Sequence, residues 1–340
     1  MINFHFFKKS LLPFIVILCF ISCTGCRNYI KNDGYVFGTM YQFTYEDTQG
    51  DLHVEISELL ASFNNSLSTF NKNSLISRFN KGEDHVVADS FFINVFTKAS
   101  EVNRISRGAF DITIAPIVNA WGFGFERYGT VTNELIDSLM QFVGMDHVEI
   151  KDGSICRKKD GVMLNVSAIA KGYGVDVVAS FLKSRGIENY MVDIGGEIVA
   201  AGVNAKGREW QIGIDNPKDD TAYKDLEYKL IVQLKGRALA TSGNYRNFYI
   251  KDGRKYAHTI DPHTGYPVQH SLLSASILAD DCMTADAYAT TCMVIGLDEA
   301  MKLIESQPGI DACFIYQLTD TGILAIASTD GFEKHIVIAF

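Results

Sequence analysis

The sequence predicts an α+β fold, built as one large domain or as two intimately packed lobes. Three observations predict it. Helical periodicity and strand alternation are both strong, they follow one another without a regular βαβ rhythm, and no Pro-rich, Ser-rich or charged linker divides the chain. Apolar residues at helical spacing place a first helix over Leu52, Ile56, Leu59, Leu60 and Phe63. A second covers Phe92, Phe96, Ala99, Val102 and Ile105 and is closed by Gly108. A third runs from Ala168 to Arg185 before Gly186, a fourth starts near Thr284, and a fifth covers Asp298 to Ser306. Alternation marks strands at Trp210, Ile212 and Ile214 and at Leu230, Val232 and Leu234. Further β runs are Tyr190 to Ile194, Leu272 to Leu278, Cys313 to Gln317 and His335 to Phe340.

The N-terminus reads as an export signal over residues 1–22. Lys8 and Lys9 precede an apolar run from Leu11 to Ile21 that is too short to span a bilayer comfortably. Small residues before a cysteine at the end of that run suggest lipoprotein processing, with Cys23 favoured over Cys26; ordinary secretory cleavage or an uncleaved anchor are the alternatives. A lipid on that cysteine tethers a protein to a membrane surface without a transmembrane helix. Residues 23–35 then form the attachment site and a polar tether, and residues 36–340 the folded domain.

Removing the leader takes the formal charge from −9 to −11. An acidic chain argues against a nucleic-acid partner. Cys156, Cys282, Cys292 and Cys313 show no metal-ligand spacing and are expected as small core residues, with a Cys282–Cys292 disulfide as the alternative.

Two runs carry most of the chemistry. His258-Thr259-Ile260-Asp261-Pro262-His263-Thr264-Gly265 gathers imidazole, carboxylate and hydroxyl groups at a Pro/Gly turn. Ala285-Asp286-Ala287-Tyr288-Ala289-Thr290 puts a carboxylate and a hydroxyl four residues apart on one helix face, the hard oxygens that Mg2+ prefers. His258 is the candidate for proton transfer, with Asp261 either orienting it or only stabilising the turn. His263 and His270 are expected to be structural or surface residues. Around Asn165-Val166-Ser167-Ala168-Ile169-Ala170-Lys171-Gly172-Tyr173 a strand end turns into a helix. Its free N–H groups and Lys171 suit a phosphate, although the segment lacks the glycine spacing of a Walker A loop. Gly195-Gly196-Glu197 reads as a tight turn.

These segments, with Phe37-Gly38-Thr39, Ser68-Thr69-Phe70, Gly108-Ala109-Phe110-Asp111 and Val192-Asp193-Ile194-Gly195-Gly196-Glu197, resemble the ApbE family of FAD:protein FMN transferases in order and spacing across nearly the whole chain. The resemblance implies an α+β fold and an Mg2+-dependent, lipid-anchored enzyme of the bacterial cell envelope facing the periplasm. Such enzymes split FAD at its pyrophosphate, move FMN onto a threonine hydroxyl of another protein and release AMP. It further implies metal ligands in the Ala168 carbonyl, Asp286 and Thr290, and flavin-nucleotide contacts at Phe37, Ala109, Phe110, Asp111, Asn165, Lys171 and Ile260. The acceptors it suggests are flavoprotein subunits of membrane redox complexes. Two departures stand out. Phe37 replaces a frequent methionine, and Asn165, Ser167 and Ala168 stand where an aspartate and a Gly-Gly pair are common. The rival readings are an Mg2+-dependent FAD pyrophosphatase and a non-catalytic, lipid-anchored flavin-binding protein.

Overall fold

The computed structural model describes residues 27–83, 85–126, 131–217, 228–244, 248–251, 254–318 and 323–340. The expected leader, with Cys23 and Cys26, lies outside the described residues. No helix among the described residues is long and apolar enough to cross a membrane.

The chain opens with strands β1 (Tyr29–Val36) and β2 (Thr39–Glu46), a hairpin whose two-residue turn, Phe37-Gly38, has positive φ at both positions (53° and 77°). That geometry matches the twist of the flanking strands. Residues 29–35, expected to belong to a tether, are therefore part of the folded domain. The polar faces of Tyr29–Val36 disguise them: this is a sheet-edge strand, and only one of its eight residues is buried.

Then come α1 (His53–Leu67), α2 (Leu75–Asn80), β3 (Val86–Val87) and α3 (Ser90–Ile105). A 3-10 turn (Ile112–Ile114) leads into α4 (Ala115–Ala120) and α5 (Asn133–Met140), and β4 (Val148–Lys151) and β5 (Ser154–Arg157) follow. The next elements are α6 (Ala170–Ser184), β6 (Tyr190–Ile194), β7 (Glu197–Ala201), β8 (Trp210–Asp215), β9 (Tyr228–Leu234) and β10 (Ala238–Gly243). A small hairpin, β11 (Phe248–Lys251) and β12 (Arg254–Ala257), precedes β13 (Leu272–Ala279), α7 (Cys282–Ile295) and α8 (Leu297–Glu305). The chain closes with β14 (Asp311–Gln317), β15 (Leu324–Ser328), α9 (Asp330–Glu333) and β16 (Ile336–Ala339). The five helices read from periodicity and the six strand runs all appear, within a few residues of their expected bounds.

Eight strands make one antiparallel sheet in the order β1-β2-β6-β7-β10-β13-β14-β15. Its side chains alternate between two covers, as a period of two requires. Ile198, Leu239, Leu278, Cys313 and Ile315 pack under the smaller β16-β9-β8 sheet. Ala240, Ala275, Ile277, Ala312 and Phe314 face the helices instead. The small residues on that face let α7 lie close to the sheet, and α7 is itself Ala-rich and buried around most of its circumference. A helix apolar on all sides belongs in a core.

Three contacts fix where α7 starts and how it sits. Asp281 caps it, its carboxylate accepting from the Thr284 N–H at 2.7 Å. Asp176 of α6 accepts from the Cys282 and Met283 N–H groups, both at 2.8 Å. Gly172 of α6 has no side chain because a Cβ there would stand 2.7 Å from the Asp286 Cβ. Cys156, Cys282, Cys292 and Cys313 are all free thiols, the last three buried, so no Cys282–Cys292 disulfide forms.

Candidate active site

A cavity of about 560 Å³ opens where the first turn of α6, the middle of α7, the Gly108–Asp111 segment and the His258–Gly265 loop meet. That volume suits a nucleotide-sized or drug-sized ligand. Its floor is polar. Asp286 and Thr290, one helical turn apart on α7, both line it, as do Ala168 and Lys171 from the start of α6. The α6 N-terminus adds the positive end of its dipole, while its Ala170, Gly172 and Tyr173 N–H groups are already bonded to the Val166 carbonyl, Asp286 and the Ile169 carbonyl. Thr290 Oγ1 lies 3.3 Å from Ser242 Oγ on β10.

Asp286 is 2% exposed, and its Oδ2 accepts from the Gly172 N–H at 3.0 Å. Burial raises its carboxyl above the ordinary aspartate range, against the opposing pull of Lys171 and the Gly172 N–H. Lys171 does not reach into the cavity unengaged. Its Nζ pairs at 2.5 Å with Glu197 Oε1, and Glu197 is likewise 2% exposed. Burial works against the Lys171 ammonium, yet Glu197 and Asp286 outweigh it and hold the group charged. Burial likewise raises the Glu197 carboxyl, offset by Lys171. Two buried carboxyls thus share one ammonium, a cluster short of positive charge.

Sequence alone places Glu197 in a tight turn. The turn is real: Asp193 Oδ1 accepts from the Gly196 N–H at 2.9 Å, and Gly195 and Gly196 have φ of 69° and 98°. The signal is an acid opening the apolar Glu197–Ala201 strand, which is covered on both faces and so leaves it no exposed side.

The donor set fits a hard cation. Among the described residues no group of three or more His, Cys, Asp and Glu side chains converges as a metal cage. Mg2+ needs none, since one carboxylate, a hydroxyl and a carbonyl leave positions for waters and substrate phosphates. Asp286, Thr290 and Ala168 on one cavity wall, beside a cluster short of positive charge, are such a set.

The opposite wall is made of loops. Ala109, Phe110, Asp111, Asn165, His258 and Ile260 all line the cavity. Asp111 Oδ1 accepts from the Thr113 N–H at 2.7 Å and so caps the 3-10 turn; burial raises its carboxyl. Asn165 Oδ1 accepts from the Ser167 N–H at 2.9 Å, shaping the turn into α6. His258 is half-buried, its ring edge-on to Phe123 with centroids 6.4 Å apart.

Two expected site residues do not line the cavity. Asp261 is committed to its own turn: Oδ1 accepts from the His263 N–H at 2.9 Å and lies 3.0 Å from His263 Nδ1, while Oδ2 accepts from the Thr264 hydroxyl at 3.2 Å. Phe37 packs into an aromatic cluster instead, 5.1 Å from Phe63 between ring centroids and against Gly174. Phe63 in turn meets Phe91 and Tyr173. The hairpin turn that carries Phe37 folds over α1 and α6, which sequence alone does not disclose.

Fold and site together define an α+β ligand-binding protein whose cavity sets oxygen donors and a helix N-terminus opposite an imidazole-bearing loop. More particularly, the chain belongs to the ApbE family, whose model matches residues 37–314. It is 36% identical to the FAD:protein FMN transferase of Vibrio cholerae over 98% of both chains, and 34% identical to that of Haemophilus influenzae over 96% of this chain and 98% of the relative. Among solved structures, the flavin transferase ApbE from Vibrio cholerae superposes with a TM-score of 0.82, covering 91% of this chain and 99% of that one at 36% identity. The apo flavinyl transferase ApbE of Pseudomonas stutzeri gives 0.81 at 29% identity, covering 92% and 98%.

Proposed function

We propose that this protein is an FAD:protein FMN transferase that uses Mg2+, moving FMN from FAD to a threonine hydroxyl of an acceptor protein and releasing AMP. The observation that carries the reading is the convergence, on one cavity, of the Asp286 and Thr290 oxygens, the α6 N-terminus and His258. The activity of the relatives in Vibrio cholerae and Haemophilus influenzae supports it.

In this reading the threonine oxygen forms a bond to the FMN phosphorus, the bond from that phosphorus to the bridging oxygen breaks, and AMP leaves with the bridging oxygen. Asp286, Thr290 and the Ala168 carbonyl would hold Mg2+. When bound, the ion neutralises pyrophosphate charge, which is a large part of what phosphoryl-transfer catalysis requires. His258 takes the proton from the threonine hydroxyl as the new bond forms. Phe123 buttresses its ring. Asp261 shapes the turn behind it, and so positions it without touching it through the cavity. Lys171, anchored by Glu197, sets the charge balance beside Asp286. The α6 N-terminus turns the positive end of its dipole toward the phosphates, and Ala109, Phe110, Asp111, Asn165 and Ile260 form the walls against which the nucleotide lies.

We further propose that the export signal and a lipid on Cys23 tether the enzyme to the bacterial cell envelope on its periplasmic side. There it would meet acceptor flavoprotein subunits of membrane redox complexes. Cys23→Ala should release or misprocess the protein, and lipidation that survives Cys23→Ala but not Cys26→Ala moves the anchor to Cys26.

Incubation of the protein with FAD, Mg2+ and a threonine-bearing candidate acceptor, followed by mass spectrometry, tests the reaction. An acceptor heavier by one FMN less water is the expected result. Free FMN and AMP with an unmodified acceptor would make the protein a pyrophosphatase, and intact FAD would make it a flavin-binding protein.

A further inference from the structure

The two loops of the cavity's outer wall are joined by one side chain outside the cavity. His263, in the turn that follows His258, reaches across to the segment before Ala109. Its Nε2 lies 2.8 Å from the Arg107 carbonyl oxygen and its Nδ1 lies 3.0 Å from Asp261 Oδ1. A carbonyl and a carboxylate can only accept. Satisfying both therefore takes a ring with hydrogens on both nitrogens, which is the imidazolium. A neutral ring would donate to one oxygen and turn a lone pair toward the other.

The backbone on the far side is shaped for this approach. Arg107 has φ of 54° and Gly108 of 91°, and a Cβ on Gly108 would stand 3.2 Å from His263 Nε2. The next three residues, Ala109, Phe110 and Asp111, line the cavity, as do His258, Thr259, Ile260 and Pro262 on the His263 side.

We propose that His263 is a positioning residue: as an imidazolium it clamps the His258–Gly265 turn to the Arg107–Asp111 segment and so holds the nucleotide-facing wall together. Its own turn contributes the Asp261 carboxylate, and the opposite segment contributes the Arg107 carbonyl and, at longer range, the Asp111 carboxylate. The Arg107 guanidinium acts on Glu299 of α8. The Arg107 carbonyl above all raises the His263 pKa above its ordinary value of about 6.5; burial, the next largest influence, opposes it, and Asp261 and Asp111 add to the rise. Because the folded value is raised, the clamp is complete below about pH 6.5 and is lost as pH rises through the folded value.

Backbone hydrogen exchange in the ligand-free full-length protein tests the clamp without reference to turnover. With intrinsic rates corrected for pH, peptides spanning residues 105–112 should lose roughly three- to tenfold protection between about pH 6 and pH 9. His263→Arg keeps a cation with several donors and should hold that protection across the range. His263→Gln has one donor group and should sit at the low value throughout. Equal protection in wild type and His263→Gln at about pH 6, or a wild-type pH response that persists in His263→Arg, would overturn the proposal. The consequence for FAD rests on the transferase reading: KM for FAD should rise severalfold with pH in wild type, be flat in His263→Arg and be uniformly high in His263→Gln, with kcat little changed. If FAD fails to bind any variant while the exchange pattern holds, the transferase reading falls and the clamp stands. A KM that stays level while protection changes removes the clamp's role in holding nucleotide.

Discussion

The inner and outer walls of the cavity are built on opposite principles. The inner wall, α6 against α7, buries the Asp286 carboxyl at 2% exposure and holds it by helix packing, with Gly172 admitting Asp286 and Asp176 anchoring the α7 N-terminus. The outer wall is two loops that meet through the hydrogen bond from His263 to the Arg107 carbonyl, and that side chain is 55% exposed. Buried charge in a packed wall has a defined place before any ligand arrives, which is what a site for charged transition states needs. An exposed polar junction is weak in water and easily opened. The inner wall should therefore decide the rate, and the outer wall should decide how well the nucleotide is held.

The sharpest way to break that division is Asp286→Asn. The amide oxygen can still accept from Gly172, so the fold should persist while the charge proposed to hold Mg2+ is gone. Turnover should fall on the order of 100-fold or more, with FAD affinity much less affected. Thr290→Val nearly preserves volume and should raise the Mg2+ requirement about tenfold with little change in thermal stability. Unchanged Mg2+ dependence in both variants, each shown to be folded by circular dichroism, would place the metal elsewhere.

Gly172→Ala tests whether the inner wall is set by packing. The new methyl would meet the Asp286 Cβ and the Cys282 carbonyl, so α6 and α7 must part. Overpacking of this kind costs about 1–3 kcal/mol. A lower Tm accompanied by a lower kcat is expected. A lower Tm with kcat unchanged would mean that the position of Asp286 tolerates movement.

The same contrast explains what could be read from the chain alone. Asp286 and Thr290 were legible because helical spacing is local, and four residues on a helix face need no tertiary knowledge. His258 and Lys171 were legible as chemistry. The partner of Lys171 was not, because only the packing of α6 against β7 brings Glu197 to it. Strand β1 was missed because a half-exposed edge strand shows little alternation, and the β1–β2 turn then carried Phe37 into an aromatic cluster. Asp261 and His263 were one turn in sequence, but only the fold brings Arg107 to them.

Asp176→Asn sharpens the comparison from within the inner wall. Burial pushes the Asp176 carboxyl up to about 7, the Cys282 and Met283 N–H groups offsetting only part of it. A raised folded value means that its stabilising contribution is fully present below about pH 4 and is lost as pH rises through about 7. Asparagine resembles the protonated acid and does not titrate. Wild type should therefore lose roughly 1–2 kcal/mol between about pH 5 and pH 8 that the variant keeps, read as Tm against pH. Parallel curves would mean that Asp176 is ionised throughout and acts as an ordinary helix cap.

The smallest effect is expected at Phe37. If it stacked on the flavin, Phe37→Leu would weaken FAD binding by the loss of an aromatic face. Its ring instead fills space between Phe63 and Gly174, in a cluster that also contains Phe91 and Tyr173. Leucine is smaller and still apolar, so the variant should cost about 1 kcal/mol or less and leave KM for FAD within about twofold. The backbone should hold, because the positive φ at this position is already carried by a side chain with a Cβ. Titration of FAD by flavin fluorescence, alongside thermal unfolding, separates the outcomes. A tenfold loss of affinity at unchanged Tm would bring the β1–β2 turn into the nucleotide site and make the outer wall three segments rather than two.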